Sequence, residues 1–236
     1  MNALTTPERT FVGPLETERF PELLSARVIE PGPVPRVHGY DVEGDLALYY
    51  GASDLTLLSL LGELPSGATR AAFEVACMFL APITVAEAPV HAAVLARLCA
   101  APTSSIAAVA AIALSEQARA LVEEHAALLE WRNSGGDLLP SRFRSDHEEE
   151  VQSVLRLRQA LSKVNFELAV LAQRPTRRAA LILVLCACSL ERPEQLEAAL
   201  VLARLPSTLA EALAETPTKF GHYPINLPHF VYEETP

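Results

Sequence analysis

Lysine is almost missing from this chain: seventeen of its 19 basic residues are arginine, and 29 acidic residues leave a formal net charge of −10. That balance gives a phosphate backbone little to hold, so nucleic acid is not expected as a partner. The opening MNALTTPERTF lacks a basic stretch followed by an apolar core, and no uncharged apolar run nears the roughly 18 residues of a spanning helix. A cytoplasmic protein with no membrane partner is therefore expected. Glycine-rich phosphate loops, Cys-x-x-Cys, His-Glu-x-x-His and Gly-x-Ser-x-Gly are all absent, which removes the commonest signatures of nucleotide, metal and serine-hydrolase chemistry. The four cysteines, Cys77, Cys99, Cys186 and Cys188, sit in alanine- and leucine-rich stretches and read as reduced, packed thiols. Cys186 and Cys188, two apart on a helix, face different ways and cannot share a metal. No repeat of 20 to 50 residues is visible, so a solenoid is excluded.

What the chain does have is helix. Half of its 236 residues are hydrophobic, enough to bury a sizeable core. Residues 1–35 carry six prolines and read as an extended arm with a strand at Ala26 to Ile29. From Ser53 the apolar spacing turns helical, with Leu55, Leu58 and Leu61 on one face, Ser53 and Asp54 as caps, and Gly62 as the stop. Pro65 and Ser66 open a second helix to about Leu80, and Thr84-x-x-Glu87 has the form of a capping box for a third reaching Cys99. Ser104 to Trp131 reads as one continuous helix. Its small-residue run IAAVAAIAL looks too apolar to face water on any side, so a central helix or a dimer contact is expected. After a Ser-Gly-Gly-Asp turn and an arginine-bearing loop, helices are expected at Asp146 to Leu161, Val164 to Gln173, Pro175 to Leu190, Pro193 to Leu205 and Pro206 to Glu215. The last twenty residues read as an extended aromatic tail.

One stretch carries more than periodicity. RVHGYDVEGDLALYYGASDLTLLSLLGELPS, from Arg36 to Ser66, resembles the opening of the citrate synthase superfamily, which has a basic residue, Gly-Tyr-Asp-hydrophobic-Glu and a helix ending in Leu-Leu-x-Gly-x-Leu-Pro. Three weaker likenesses follow. APVHAAVLARLCAAPTSSIAAVAAIAL resembles the helix pair leading into that family's Gly-Pro-x-His-Gly-Gly turn, PSRFRSD its second histidine loop, and KVNFELAVLA its Asn-Val-Asp segment. The likeness runs from Ala26 to about Glu215 and is nearest to short citryl-CoA-lyase-like members. It implies an all-α, citrate-synthase-like fold, with residues 36–131 and 174–216 as the larger body, 132–173 as a smaller lid-like part, and extended arms at 1–35 and 217–236.

The resemblance also implies a degenerate site. Forming a carbon nucleophile beside a thioester needs a carboxylate base and donors for the enolate oxygen, roles that one aspartate and two histidines fill in the family. Here Asn165 stands in the aspartate position, and its amide cannot take a proton. Ser115 to Arg119 replaces the first histidine turn, and Arg144 falls at the second histidine, with His147 a few residues later. Arg142 and Arg144 are the expected ligand contacts, since paired guanidiniums suit carboxylates and phosphates; their alternative is solvated loop charge. His91 and His38 are weaker binding candidates, read first as packed histidines, and His125 is expected to be solvated. Remaining candidate bases are Glu116, Asp137 and Asp146, while Asp146 to Glu150 reads as helix capping rather than a metal site. Lys219, His222, Tyr223, His229 and Tyr232 in the tail suit a dimer clamp.

Two functions fit this reading. One is a divergent enzyme holding an acyl-CoA thioester or polycarboxylate, with coenzyme A thioester as substrate and no tightly bound cofactor. The other is a noncatalytic subunit, paired as a homodimer or with a citrate-synthase-like paralogue.

Overall fold

The computed structural model describes residues 25–217, so both the arm before residue 25 and the tail with its histidines and tyrosines lie outside it. By its internal packing the chain divides into two compact units at Tyr49–Tyr50.

In the first unit, β1 (Ile29–Glu30), β2 (Arg36–Val37) and β3 (Tyr40–Asp41) form a three-stranded antiparallel sheet in the order β1-β2-β3. Val37 pairs with Tyr40 across a two-residue turn in which His38 and Gly39 both have positive φ, 49° and 82°. That is the turn whose twist matches a hairpin, and glycine adopts it without strain. Asp41 ends the strand and begins the next element: its Oδ1 accepts from the backbone N–H groups of Glu43 at 2.9 Å and Gly44 at 2.7 Å. These bonds set up a π-helical turn, Val42–Leu46, that continues into the short α1 (Ala47–Tyr49). The Gly-Tyr-Asp motif thus has a complete local explanation as turn, strand and cap.

The described residues of the second unit are mostly α-helical: α2 (Ala52–Leu61), α3 (Gly67–Leu80), α4 (Ala88–Leu98), α5 (Thr103–Glu124), α6 (Ala126–Asn133), α7 (Glu148–Lys163), α8 (Arg177–Ala187) and α9 (Pro193–Ala214). The predominantly α-helical class expected from the sequence is what the described residues show, with one small three-stranded sheet. α8 lies at the centre, every residue from Ala179 to Cys186 being buried among side chains of α2, α3, α5, α6, α7 and α9. α5 packs through the stripe Ile106, Ala110, Leu114, Ala118 and Val122 against α4 and α9. Burial lifts the Cys77 and Cys186 thiols to about 11 and Cys188 to about 12, which keeps them protonated and inert at neutral pH.

Several elements differ from the sequence reading. α2 buries Asp54, Leu57 and Leu58, while Leu55 is exposed, so its inner face is rotated from the one expected. Gly51, not Ser53, is the cap, and Asp54 Oδ2 reaches back to its N–H at 2.9 Å. Ser104 to Trp131 is two helices rather than one. His125 breaks it and turns its ring inward, 4% exposed, with Nδ1 2.9 Å from the Leu121 carbonyl and the ring stacked on Phe143 at 5.6 Å. The expectation of a solvated His125 fails for that reason. Val164 to Gln173 forms no α-helix, only a 3₁₀ segment at Ala169–Gln173, because the chain leaves α7 through a left-handed turn at Asn165. Pro193–Ala214 is one helix where two were expected. Pro206 sits inside α9, whose packing on both α4 and α5 outweighs the roughly 3 kcal/mol that an internal proline costs.

The Ser-Gly-Gly turn after α6 uses its glycines differently. Gly135 supplies a positive φ of 71°. Gly136 lies against the Trp131 indole, and a β-carbon there would collide with Nε1 and Cδ1. Gly136→Ala is expected to lower stability by about 1–3 kcal/mol, read as a fall in the denaturant midpoint at unchanged slope. Wild-type stability would show that the indole moves aside.

Candidate functional site

A cleft of about 430 Å³ opens in the helical unit among α3, α4, α5, α8 and α9. Its floor is apolar, with Phe79 and Leu80 from the end of α3, Leu114 and Leu121 from α5, and Leu181 and Leu200 from α8 and α9. Its polar groups converge from far apart in the chain. Glu87 is the residue before α4, Gln117 and Glu124 project from α5, Arg177 and Arg178 open α8, and Arg204 lies mid-way along α9.

Glu87, Gln117 and Arg204 form a closed triangle. The Arg204 Nη2 donates to Glu87 Oε2 at 2.8 Å, its Nη1 donates to Gln117 Oε1, and Gln117 Nε2 donates to Glu87 Oε2 at 2.9 Å. The other carboxylate oxygen accepts from the Thr84 N–H at 3.3 Å. Thr84 and Glu87 thus do pair, but in a turn one step before the helix rather than as its cap. Burial pushes the Glu87 carboxyl up, and its bonds to Arg204 and Gln117 with the guanidinium charge more than reverse this, leaving it below the usual range and ionised. Arg204 Nε is buried with no hydrogen-bond partner among the described residues.

The two α8 arginines are less committed. Arg177 Nη2 donates to the Phe79 carbonyl at 2.8 Å, and Arg178 faces Glu124 at 3.7 Å with both side chains largely exposed. Three arginines against two glutamates leave the cleft at a formal +1. A second, shallower groove runs along the first turn of α7 and is lined by Glu148, Glu149, Glu150, Gln152, Ser153, Arg156 and Arg177. Among the described residues no group of three or more His, Cys, Asp or Glu is placed to hold a metal ion.

The residues singled out from sequence lie elsewhere. Asn165 is exposed at the end of α7 with φ of 56°; its N–H donates to the Ser162 carbonyl at 3.1 Å and the Phe166 N–H to Leu161 at 3.0 Å. Asparagine is the non-glycine residue best suited to that left-handed position. His147 is the exposed residue before α7, its N–H donating to Ser145 Oγ at 3.2 Å. Arg144 donates through Nε to the Leu139 carbonyl at 2.8 Å, and the Arg142 guanidinium lies 4.7 Å over the Phe143 ring. Neither Arg142 nor Arg144 lines either cavity. Glu116 is held on the surface by Arg119, and Asp146 by Arg174. His91 sits half-buried one helical turn beyond Glu87 on α4. His38 belongs to the hairpin turn, its Nε2 buried without a partner among the described residues.

Segments 137–145 and 173–176 are stitched together. Leu139 N–H donates to Gln173 Oε1 at 2.7 Å, Gln173 Nε2 to the Asp137 carbonyl at 2.8 Å, Ser145 N–H to Arg174 at 3.0 Å and Thr176 N–H to Phe143 at 2.8 Å. The chain therefore leaves for α7 and returns at one place.

Sequence reasoning saw Gln117 as part of the replaced turn but missed Arg177, Arg178 and Arg204. A signal existed for the last: Arg204 is a lone charge inside the apolar run AALVLARLP, and a charge there needs a partner or a job.

No protein-family model matches this chain, and no curated protein does. Solved structures do. Citryl-CoA lyase from Hydrogenobacter thermophilus superposes with a TM-score of 0.62 over 91% of this chain and 98% of its own, at 14% identity. ATP citrate lyase of Methanosaeta concilii, a D541A mutant in complex with (3S)-citryl-CoA, gives 0.58 at 12% identity. ATP citrate lyase from Methanothrix soehngenii, in complex with citrate and coenzyme A, gives 0.54 at 12% identity. Each of the last two matches 99% of this chain and 47% of its own length. At these identities the likeness is one of fold.

Proposed function

We propose that this chain binds a polycarboxylate or a coenzyme A thioester in the cleft among α3, α4, α5, α8 and α9, as a citrate-synthase-like protein whose carbon–carbon chemistry is lost or altered. One observation carries the reading: Arg177, Arg178 and Arg204 converge on a single concavity in a chain of net charge −10. Guanidiniums offer forked donors to carboxylate and phosphate oxygens, and the apolar floor suits an acyl chain or carbon skeleton. Ligands held by the structural neighbours, (3S)-citryl-CoA and citrate with coenzyme A, define the class to test. The stitched base of the 137–176 excursion supports treating residues 132–173 as a lid-like part. Calorimetry of the native chain with citrate, coenzyme A and acetyl-CoA is expected to give saturable heat with at least one. Silence toward all three at millimolar concentration removes the reading.

A second reading, a subunit that completes an assembly, is favoured by the outer side of α5. Opposite its buried stripe, Val109 is 36% and Ile112 66% exposed, beside exposed Ala108. By length and composition α5 is the one described helix able to cross a membrane, yet one stripe of it already packs on α4 and α9. The remaining apolar side suits a second copy or a citrate-synthase-like paralogue. Light scattering at micromolar concentration is expected to return the mass of two chains, and Ile112→Glu that of one. A native chain that runs as a monomer excludes the homodimer.

A further inference from the structure

We infer that Glu87 sets the charge class of ligand admitted to the cleft, by occupying Arg204 as an internal competitor for the ligand's own carboxylate; this rests on the reading of the cleft as an anion site. Arg204 is the deepest of the three guanidiniums by exposure, at 19%, and both of its terminal nitrogens are already engaged, one by Glu87 and one by Gln117. Nε is buried and has no partner among the described residues, and a guanidinium grips a carboxylate firmly through two N–H groups, so a ligand must approach through the terminal nitrogens that Glu87 and Gln117 hold. An incoming carboxylate therefore competes with Glu87 for the Nη2 end of Arg204.

Arg177 and Arg178 differ. The first donates to a neutral carbonyl and the second faces Glu124 at 3.7 Å across an exposed rim, so both retain capacity for a ligand. As built, then, the cleft receives one anionic arm at α8, while a more highly charged ligand meets the ionised Glu87 further in. Glu87 is itself held in place by the Thr84 N–H and by Gln117 Nε2, so it is a built element of the site and not a loose side chain. Its side chain is 32% exposed, which leaves room for the swing that binding requires.

The test is calorimetric titration with citrate of the native chain, Glu87→Gln and Glu87→Asp. Glutamine keeps the shape and an acceptor for Arg204 but removes the negative charge, raising the cleft from +1 to +2; aspartate keeps the charge. Citrate is expected to bind Glu87→Gln on the order of tenfold more tightly than the native chain, and Glu87→Asp no more tightly. If native and Glu87→Gln chains bind citrate within about twofold of each other, Glu87 is no competitor and the inference falls while the cleft reading stands. If neither folded chain binds citrate, this inference falls, and the cleft reading falls with it only where coenzyme A and acetyl-CoA are silent too. Should Glu87→Gln fail to fold, a citrate-bound structure of the native chain decides. Glu87 turned away from Arg204 with citrate in its place supports the inference, and an intact Glu87–Arg204 pair beside bound citrate overturns it.

Discussion

Replacing Arg177 and Arg178 together by glutamine is expected to weaken binding of citrate or coenzyme A by about a hundredfold while leaving the melting temperature nearly unchanged. The size follows from the charge-assisted hydrogen bonds that the two guanidiniums would give the ligand. A hydrogen bond to a charged group contributes roughly 1.5–3 kcal/mol, so two of them correspond to two decades or more in affinity. Stability changes little because Arg178 and Glu124 are 70% and 63% exposed, such pairs contribute at most about 1 kcal/mol, and the bond from Arg177 to the Phe79 carbonyl is exposed as well. Arg204→Gln should behave differently. It removes the guanidinium that Glu87 and Gln117 share, leaving a partly buried carboxylate without its cation, so a loss of binding is expected together with roughly 1–3 kcal/mol of stability. The pair Arg142→Ala and Arg144→Ala separates this assignment from the one the sequence suggests. If that pair abolishes the heat and the α8 pair does not, the ligand sits at the 141–145 loop and the cleft is incidental.

The contrast between the two arginine sets shows where sequence reading stops. Local chemistry was legible: Gly62 ends α2 at φ of 85°, Ser66 caps α3, and most of the prolines and glycines punctuate the helices close to where they were expected. Each of these is decided by residues within a few positions of one another. The cleft is not of that kind. Glu87, Gln117, Arg177 and Arg204 meet because α4, α5, α8 and α9 pack, and no spacing in the chain announces it. The errors have the same origin. Pro206 reads as a helix start, yet it lies inside α9, which packs on α4 and α5, and His125 looks solvated until the break it creates turns it onto Phe143. Asn165 is a more instructive position, because two explanations converge on it. Resemblance places it where a catalytic aspartate would be, while its φ of 56° gives asparagine a purely conformational reason to be there.

Those two explanations can be separated by activity. Citrate synthesis from acetyl-CoA and oxaloacetate, and cleavage of citryl-CoA, are expected to be absent or slower by about 10² to 10⁴ than with a positioned base, the usual effect of losing one. The Asn165 amide cannot accept a proton near neutrality. Of the carboxylates lining the cleft, Glu87 is bound to Arg204 and kept below its ordinary range, so it is a weak base toward a thioester α-carbon, and Glu124 faces Arg178 at the exposed rim. Asn165→Asp is the informative variant, since aspartate also tolerates the left-handed turn and the fold should survive. We expect it to leave both reactions undetectable, because residue 165 stands exposed at the end of α7 and does not line the cleft. Citryl-CoA cleavage appearing in Asn165→Asp would mean that this position does reach the bound thioester and that the missing carboxylate is the principal defect. Robust turnover by the native chain, unchanged by Asn165→Ala, would mean that the proton acceptor is another residue altogether.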